Sequence, residues 1–315
     1  MSKQLGYACI NLHLTKQGIR TSRKMIKKTF QQHGIEYASK LALENARDFI
    51  KIINWNNQHG IKVFRYSSAI FPWFSEYEIK DLPDYQKIKT LFAGAGHIAR
   101  KHGQRLTVHP GPFNQLASVN EAVVQKTIKE LNQHGEMMDM LGAPLTNYNK
   151  INIHVCCATG SKEAAAQRFC TNFKRLSEST RKRLVVENDD KSSLFTTMDL
   201  YNMIHKEIGI PITFDYHHHW CHPGEGYTEE QALKLAASTW PEGVRQCTHY
   251  SSAKRVYEDE AAKIVKHADY VYNEINDYGL DIDVVVEAKA KELAKEAEEK
   301  AAEEEKEKEE AEEEL

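Results

Sequence analysis

The chain has 315 residues and a formal net charge of −3, which averages two unlike parts. Residues 288–315 hold 6 Lys and 13 Glu, while the preceding body carries 36 basic and 32 acidic side chains, a net of +4, and all fifteen His. At 41% hydrophobic residues a disordered body is excluded, and no apolar run nears the roughly 18 residues needed to span a bilayer, which excludes a helical membrane protein.

The opening Met1-Ser2-Lys3-Gln4 leads into a short apolar stretch with no signal-cleavage pattern, and none of the six Cys forms a C-x-x-C pair. A cytoplasmic protein with reduced thiols is expected. In chain order, eight short β-branched runs read as strands: Leu5–Asn11, Lys62–Ser67, Arg105–His109, Lys150–Val155, Arg183–Glu187, Pro211–Asp215, Val244–Tyr250 and Ile282–Glu287. Between them, Leu41–His59, Tyr85–His102, Val119–Leu141, Lys162–Ser179, Thr196–Glu207 and Glu229–Ser238 read as amphipathic helices. Runs such as Leu-Val-Val and Val-Val-Val suit strands buried on both faces. Eight successive βα units predict an α/β fold, a (β/α)₈ TIM barrel. An open doubly wound sheet would be expected to show a G-x-G-x-x-G after its first strand, and none is present. The predicted barrel domain covers residues 1–292. Residues 293–315 are predicted to form a charged C-terminal tail, a frayed helix or disordered.

The predicted strands end in residues that can hold a metal. His109, His154, Glu187, Asp215, His249 and Glu287 stand at or near the ends of strands three to eight, and His218 follows Asp215 by three. A barrel gathers its C-terminal strand ends on one face. A lone buried Glu in Leu-Val-Val-Glu is costly unless paired or bound to a cation. His134 and His205, on helices, read as structural. Mixed imidazole and carboxylate donors suit Zn²⁺, Mn²⁺ or Fe²⁺ better than Ca²⁺. Seven candidate ligands imply two or three ions sharing a carboxylate, an arrangement that activates water and clamps the oxygens of a phosphoryl displacement. Sugar isomerases on similar barrels use the same ligand types, so the reaction class stays open on ligands alone.

The motifs in order resemble the UV damage endonuclease family. They are Leu5-Gly6-Tyr7-Ala8-Cys9-Ile10-Asn11, Phe64-Arg65-Tyr66-Ser67-Ser68 with Phe71-Pro72, His109-Pro110-Gly111, Val185-Val186-Glu187-Asn188-Asp189, Phe214-Asp215-Tyr216-His217-His218-His219, His249-Tyr250-Ser251-Ser252 and Val286-Glu287-Ala288-Lys289. The resemblance implies a nick immediately 5′ of ultraviolet photoproducts and a cluster of two or three divalent ions. Mn²⁺ is the expected ion, with Zn²⁺, Mg²⁺ or Co²⁺ as alternatives. It implies one ion on His109, His154 and Glu187, a second on Glu187, Asp215, His249 and Glu287, and a third involving His218 and His267. Glu187, Asp215 and His249 would be catalytic. Tyr7, Asn11 and Phe113 would meet the substrate, damaged double-stranded DNA, bound by a monomer without membrane contact.

The chain departs from the family pattern where Pro112 and Phe113 replace a Gln-Tyr pair, where Cys247 replaces a Lys, and where Glu76 replaces a His. Phe113 can still stack or wedge, and Cys247 reads as a small buried residue. Arg20, Arg23, Lys24, Lys27 and Lys28 form a basic segment able to neutralise phosphates. The rival readings are a xylose-isomerase-type isomerase or epimerase, and a lesion-binding protein that has lost catalysis.

Overall fold

A computed structural model describes residues 3–294. Its eight strands are β1 Lys3–Ala8, β2 Val63–Tyr66, β3 Arg105–Val108, β4 Ile151–Ile153, β5 Leu184–Glu187, β6 Ile212–Thr213, β7 Gln246–Tyr250 and β8 Ile282–Val286. All pair in parallel in the order β6-β5-β4-β3-β2-β1-β8-β7. The sheet closes at its two ends through one parallel bridge, Asp215 to His249, with the His249 amide donating 2.9 Å to the Phe214 carbonyl. The fold is thus the expected (β/α)₈ barrel, and its closing seam is made by two of the candidate site residues.

The helices that pack outside the barrel include Tyr85–Lys101, Glu121–Met140, Lys162–Phe173 and Glu229–Ala237, each within two residues of its predicted bounds except Lys162–Phe173, which ends six residues short of the predicted Ser179. Side chains of Asn120, Ser161 and Thr228 cap the last three, each satisfying an orphan N-terminal amide. The first long helix starts earlier than predicted, at Lys27, and runs to Gln58 with a break at Gly34, whose φ of 65° suits glycine. β1 stops at Ala8, three residues before the predicted end, because Cys9 turns to φ 67° and Asn11 caps a short helix, Leu12–Thr15. At the other end Glu292 and Ala294 are buried and Leu293 packs on the core. The body therefore extends past the predicted boundary at 292. The expectation for the tail beyond Ala294 lies outside the described residues.

Two apolar regions hold the barrel. The larger lies between the sheet and the helices. The smaller joins Ala8, Val63, Val185, Cys247 and Val285 from five strands with Trp240, which requires these residues to face the barrel interior. Cys247 packs there as a small buried residue. Below this layer Arg105 bridges to Asp283 at 2.9 Å and stacks near Tyr148 and Trp240, plugging the far end.

Candidate metal centre

Side chains alternate faces along a strand. The residues two beyond inward-facing Val185, Cys247 and Val285 are Glu187, His249 and Glu287, and the same step from buried Thr107, Asn152 and Thr213 reaches His109, His154 and Asp215. One inward layer of the barrel thus carries six candidate ligands at the C-terminal rim. His218 joins them from the short helix Tyr216–Cys221, which the sequence did not announce. Asp215 caps that helix, its Oδ1 accepting the His218 amide at 2.8 Å.

Glu187 is the hub. It is 1% exposed, and four imidazoles surround its carboxylate. His109 Nε2 lies 3.3 Å, His154 Nε2 3.7 Å and His249 Nδ1 3.1 Å from Oε2, while His218 Nδ1 lies 3.3 Å from Oε1. Asn152 donates to Oε2. Glu287 Oε1 sits 3.2 Å from His249 Nδ1 and pairs with Arg65. Three triads offer ligand atoms within 4.8 Å of one another: His109, Glu187 and His249; His154, Glu187 and His218; Asp215, His249 and Glu287. This grouping pairs His109 with His249 and His154 with His218 around Glu187, a different division from the expected one.

Outer partners fix the rings. His109 Nδ1 meets the Pro110 carbonyl at 2.9 Å, His154 Nδ1 lies 3.1 Å from Asp189, and His218 Nδ1 meets the Asn188 carbonyl at 2.9 Å. His249 Nε2 instead faces the buried Lys150 amine at 3.0 Å, which also bonds Thr213 and the Cys247 carbonyl. Lys150, the first residue of a predicted strand, carried no role in the sequence. Only its inward position, two residues before Asn152, could have signalled one.

Electrostatics follow from this crowding. Burial works against ionised Glu187, yet His249, His154 and the flanking imidazoles hold its carboxyl well below the usual range. Burial, reinforced by Glu187 and Glu287 against the pull of His218, pushes Asp215 up to about 7. Burial opposes charge on His154, but Glu187 and Asp189 raise it to about 9. Burial, with Lys150 beside it, takes His249 down to about 3, and burial lowers Lys150 to about 8. Buried His249 Nδ1 and Asp215 Oδ2 find no hydrogen-bond partner among the described residues. Orphaned buried donors and acceptors ask for an explanation. Three carboxylates and four imidazoles converging around them fit a divalent cation site.

The remaining candidates separate. His267 borders the cluster, its Nδ1 3.2 Å from the Glu287 carbonyl and its ring 6.3 Å from that of His218. Phe113 stands 87% exposed and, with Glu76, lines a hollow of about 440 Å³. Tyr7 and Asn11, expected to meet the substrate, are each only 1% exposed. Asn11 Nδ2 donates to Tyr7 Oη at 2.9 Å, Tyr7 Oη donates to Asn56 at 2.7 Å, and Asn11 Oδ1 accepts the Leu14 amide at 2.8 Å. Their polar groups are spent inside the protein, holding β1 to the first helices. In the basic segment, Arg23 is taken by Asp48 and Glu44. His134 and His205 bond the Glu130 and Ile210 carbonyls, as structural residues do.

Residues 3–300 match the family described as UV-endonuclease UvdE. The chain is 32% identical to a putative UV-damage endonuclease of Acanthamoeba polyphaga mimivirus, covering 92% of this chain and 88% of the viral protein. It is 33% identical to the UV-damage endonuclease of Schizosaccharomyces pombe over 92% of this chain, but spans only about half, 49%, of that relative. Among solved structures it is similar to SacUVDE, with a TM-score of 0.80 and 29% identity over 93% of this chain and 95% of the other.

Proposed function

Because the chain belongs to the UV-endonuclease UvdE family, we propose that it is a DNA repair endonuclease that nicks the strand immediately 5′ of ultraviolet photoproducts, using two or three divalent ions. The observation that carries the metal reading is the Glu187 hub, one buried carboxylate ringed by four imidazoles. His109, His154, Glu187, Asp215, His218, His249 and Glu287 would hold the ions, Mn²⁺ foremost, with His267 at the border. Bound there, the ions would supply Lewis-acid stabilisation of a phosphoryl oxygen and a more acidic water.

The protein's own share is positioning. Pro110 accepts from the outer nitrogen of His109 and Asp189 lies beside that of His154, which aims their inner nitrogens at Glu187, while Asn188 holds His218 through the same Nδ1 that faces the carboxylate. The barrel interior beneath is filled by Val63, Val185, Cys247 and Val285, which keeps water from the underside of the cluster. Phe113 projects from the rim, where it can wedge into a duplex that a lesion has made cheaper to kink and unstack. That exposed aromatic favours DNA over a small sugar as substrate. The intact ligand ring favours a working enzyme over a lapsed binding protein. We take the enzyme to act as a monomer in the compartment that holds the DNA.

Titrating chelator-stripped protein with Mn²⁺, with bound ions counted by electron paramagnetic resonance, tests this reading. Two or three ions should bind, and incision of damaged duplex should rise along the same isotherm. Absence of tight Mn²⁺ binding alongside undiminished incision would sink the metal-dependent mechanism.

A further inference from the structure

Seven strands, not six, send a charged or imidazole side chain inward to the rim. The seventh is Arg65 on β2, two residues beyond inward-facing Val63 just as Glu187 is two beyond Val185. Its Nη1 pairs with Glu287 Oε1, its Nε is buried with no partner among the described residues, and its side chain keeps 13% exposure. The guanidinium reaches from β2 over β1 to β8, and the β1 residue in register with it is Ala8, small enough to leave the path open.

An arginine kept only to neutralise Glu287 would compete for a carboxylate that the Asp215–His249–Glu287 triad offers to a cation. Arginine never gives up its charge, and its planar fork matches a phosphate better than any other side chain. With Glu287 oriented toward a cation, the guanidinium at this mouth lacks a full partner, and the anion that approaches the cluster is the phosphodiester.

We infer that Arg65 is a catalytic residue that binds a non-bridging oxygen of the reacting phosphate, holding Glu287 until substrate arrives. The inference rests on the endonuclease reading. Arg65 forms and breaks no covalent bond; it stays protonated and stabilises charge on the phosphoryl oxygens, which strengthens as the transition state is approached.

Binding to product-like DNA tests this without turnover. Mn²⁺-loaded protein is titrated, by fluorescence anisotropy, with a dimer-bearing duplex already nicked 5′ of the lesion, the nick ending in either a 5′-phosphate or a 5′-hydroxyl. Wild type should prefer the phosphate by about ten-fold or more, the scale of one charge-assisted hydrogen bond. Arg65→Met should bind the hydroxyl duplex as wild type does but lose the preference, and Arg65→Lys should keep part of it. A purely structural role would not move this ratio. A full preference in Arg65→Met, or none in wild type, would overturn the inference, and the wild-type and Lys measurements hold even if the Met protein does not fold. Failure of wild type to bind either duplex would instead overturn the endonuclease reading beneath it.

Discussion

At the scale of single residues, Glu187 concentrates the chemistry. Its substitution by Gln keeps the shape but removes the charge that His109, His154, His218 and His249 face. Glu187→Gln should lose Mn²⁺ binding and slow incision by at least roughly 10²–10³-fold, the loss typical of deleting one group that stabilises transition-state charge, while circular dichroism shows an intact fold. A Glu187→Gln protein that binds Mn²⁺ and cuts like wild type would remove the hub from the account. His134 gives a different residue-scale test. Burial pushes it down to about 4, and among the described residues its ring's one hydrogen bond is to the Glu130 carbonyl. Below about pH 6.5 the unfolded chain takes up a proton that the native His134 refuses, so its contribution is complete above that pH and is lost as the pH falls toward 4. Urea unfolding at pH 7 and 5 should show wild type losing more stability than His134→Gln, up to roughly 3 kcal/mol over the whole window. Equal losses in the two proteins would contradict that assignment.

At the scale of elements, most of the site was legible because strands impose a two-residue period. Leu-Val-Val-Glu announces a strand whose last side chain faces the same way as Val185, and so predicts a buried carboxylate at the rim. Elements whose roles depend on tertiary hydrogen bonds were not legible. Asn11 matches a motif position, but its side chain closes the short helix Leu12–Thr15 and holds Tyr7, and neither bond leaves a trace in spacing. Lys150 and Arg65 escaped for a related reason: a cation inside a strand reads as a surface residue until register shows that it points inward. Asn11→Ala should therefore cost about 1–2 kcal/mol of stability through the lost cap and buried bond. Its effect on lesion affinity should be small. A normal melting profile with lesion binding abolished would restore Asn11 to the substrate surface.

At the scale of the whole molecule, the barrel closes where the chemistry is. β6 and β7 meet through the Asp215–His249 bridge, and Lys150, just before β4, reaches Thr213 on β6 and Cys247 and His249 on β7 from inside. Cations binding Asp215 and His249 would tie that seam further, and ligands that bind only the native state stabilise it, by about 2.7 kcal/mol at a hundred-fold excess over Kd. Chelation should thus lower the melting temperature as well as abolish incision, and Mn²⁺ should restore both. An unchanged melting curve on chelation would place the ions away from the seam. Closure itself was legible as eight βα units; which residues make the last join was not, because β6 is too short for its pairing to be read from propensity.

The most direct test of the account is incision of a duplex carrying one cyclobutane pyrimidine dimer, with Mn²⁺ present and the ends mapped on a sequencing gel. A single nick immediately 5′ of the dimer, with 3′-hydroxyl and 5′-phosphate ends and none on the undamaged duplex, is the expected result. Equal cutting of both duplexes, or no cutting together with turnover of a sugar substrate, would contradict it.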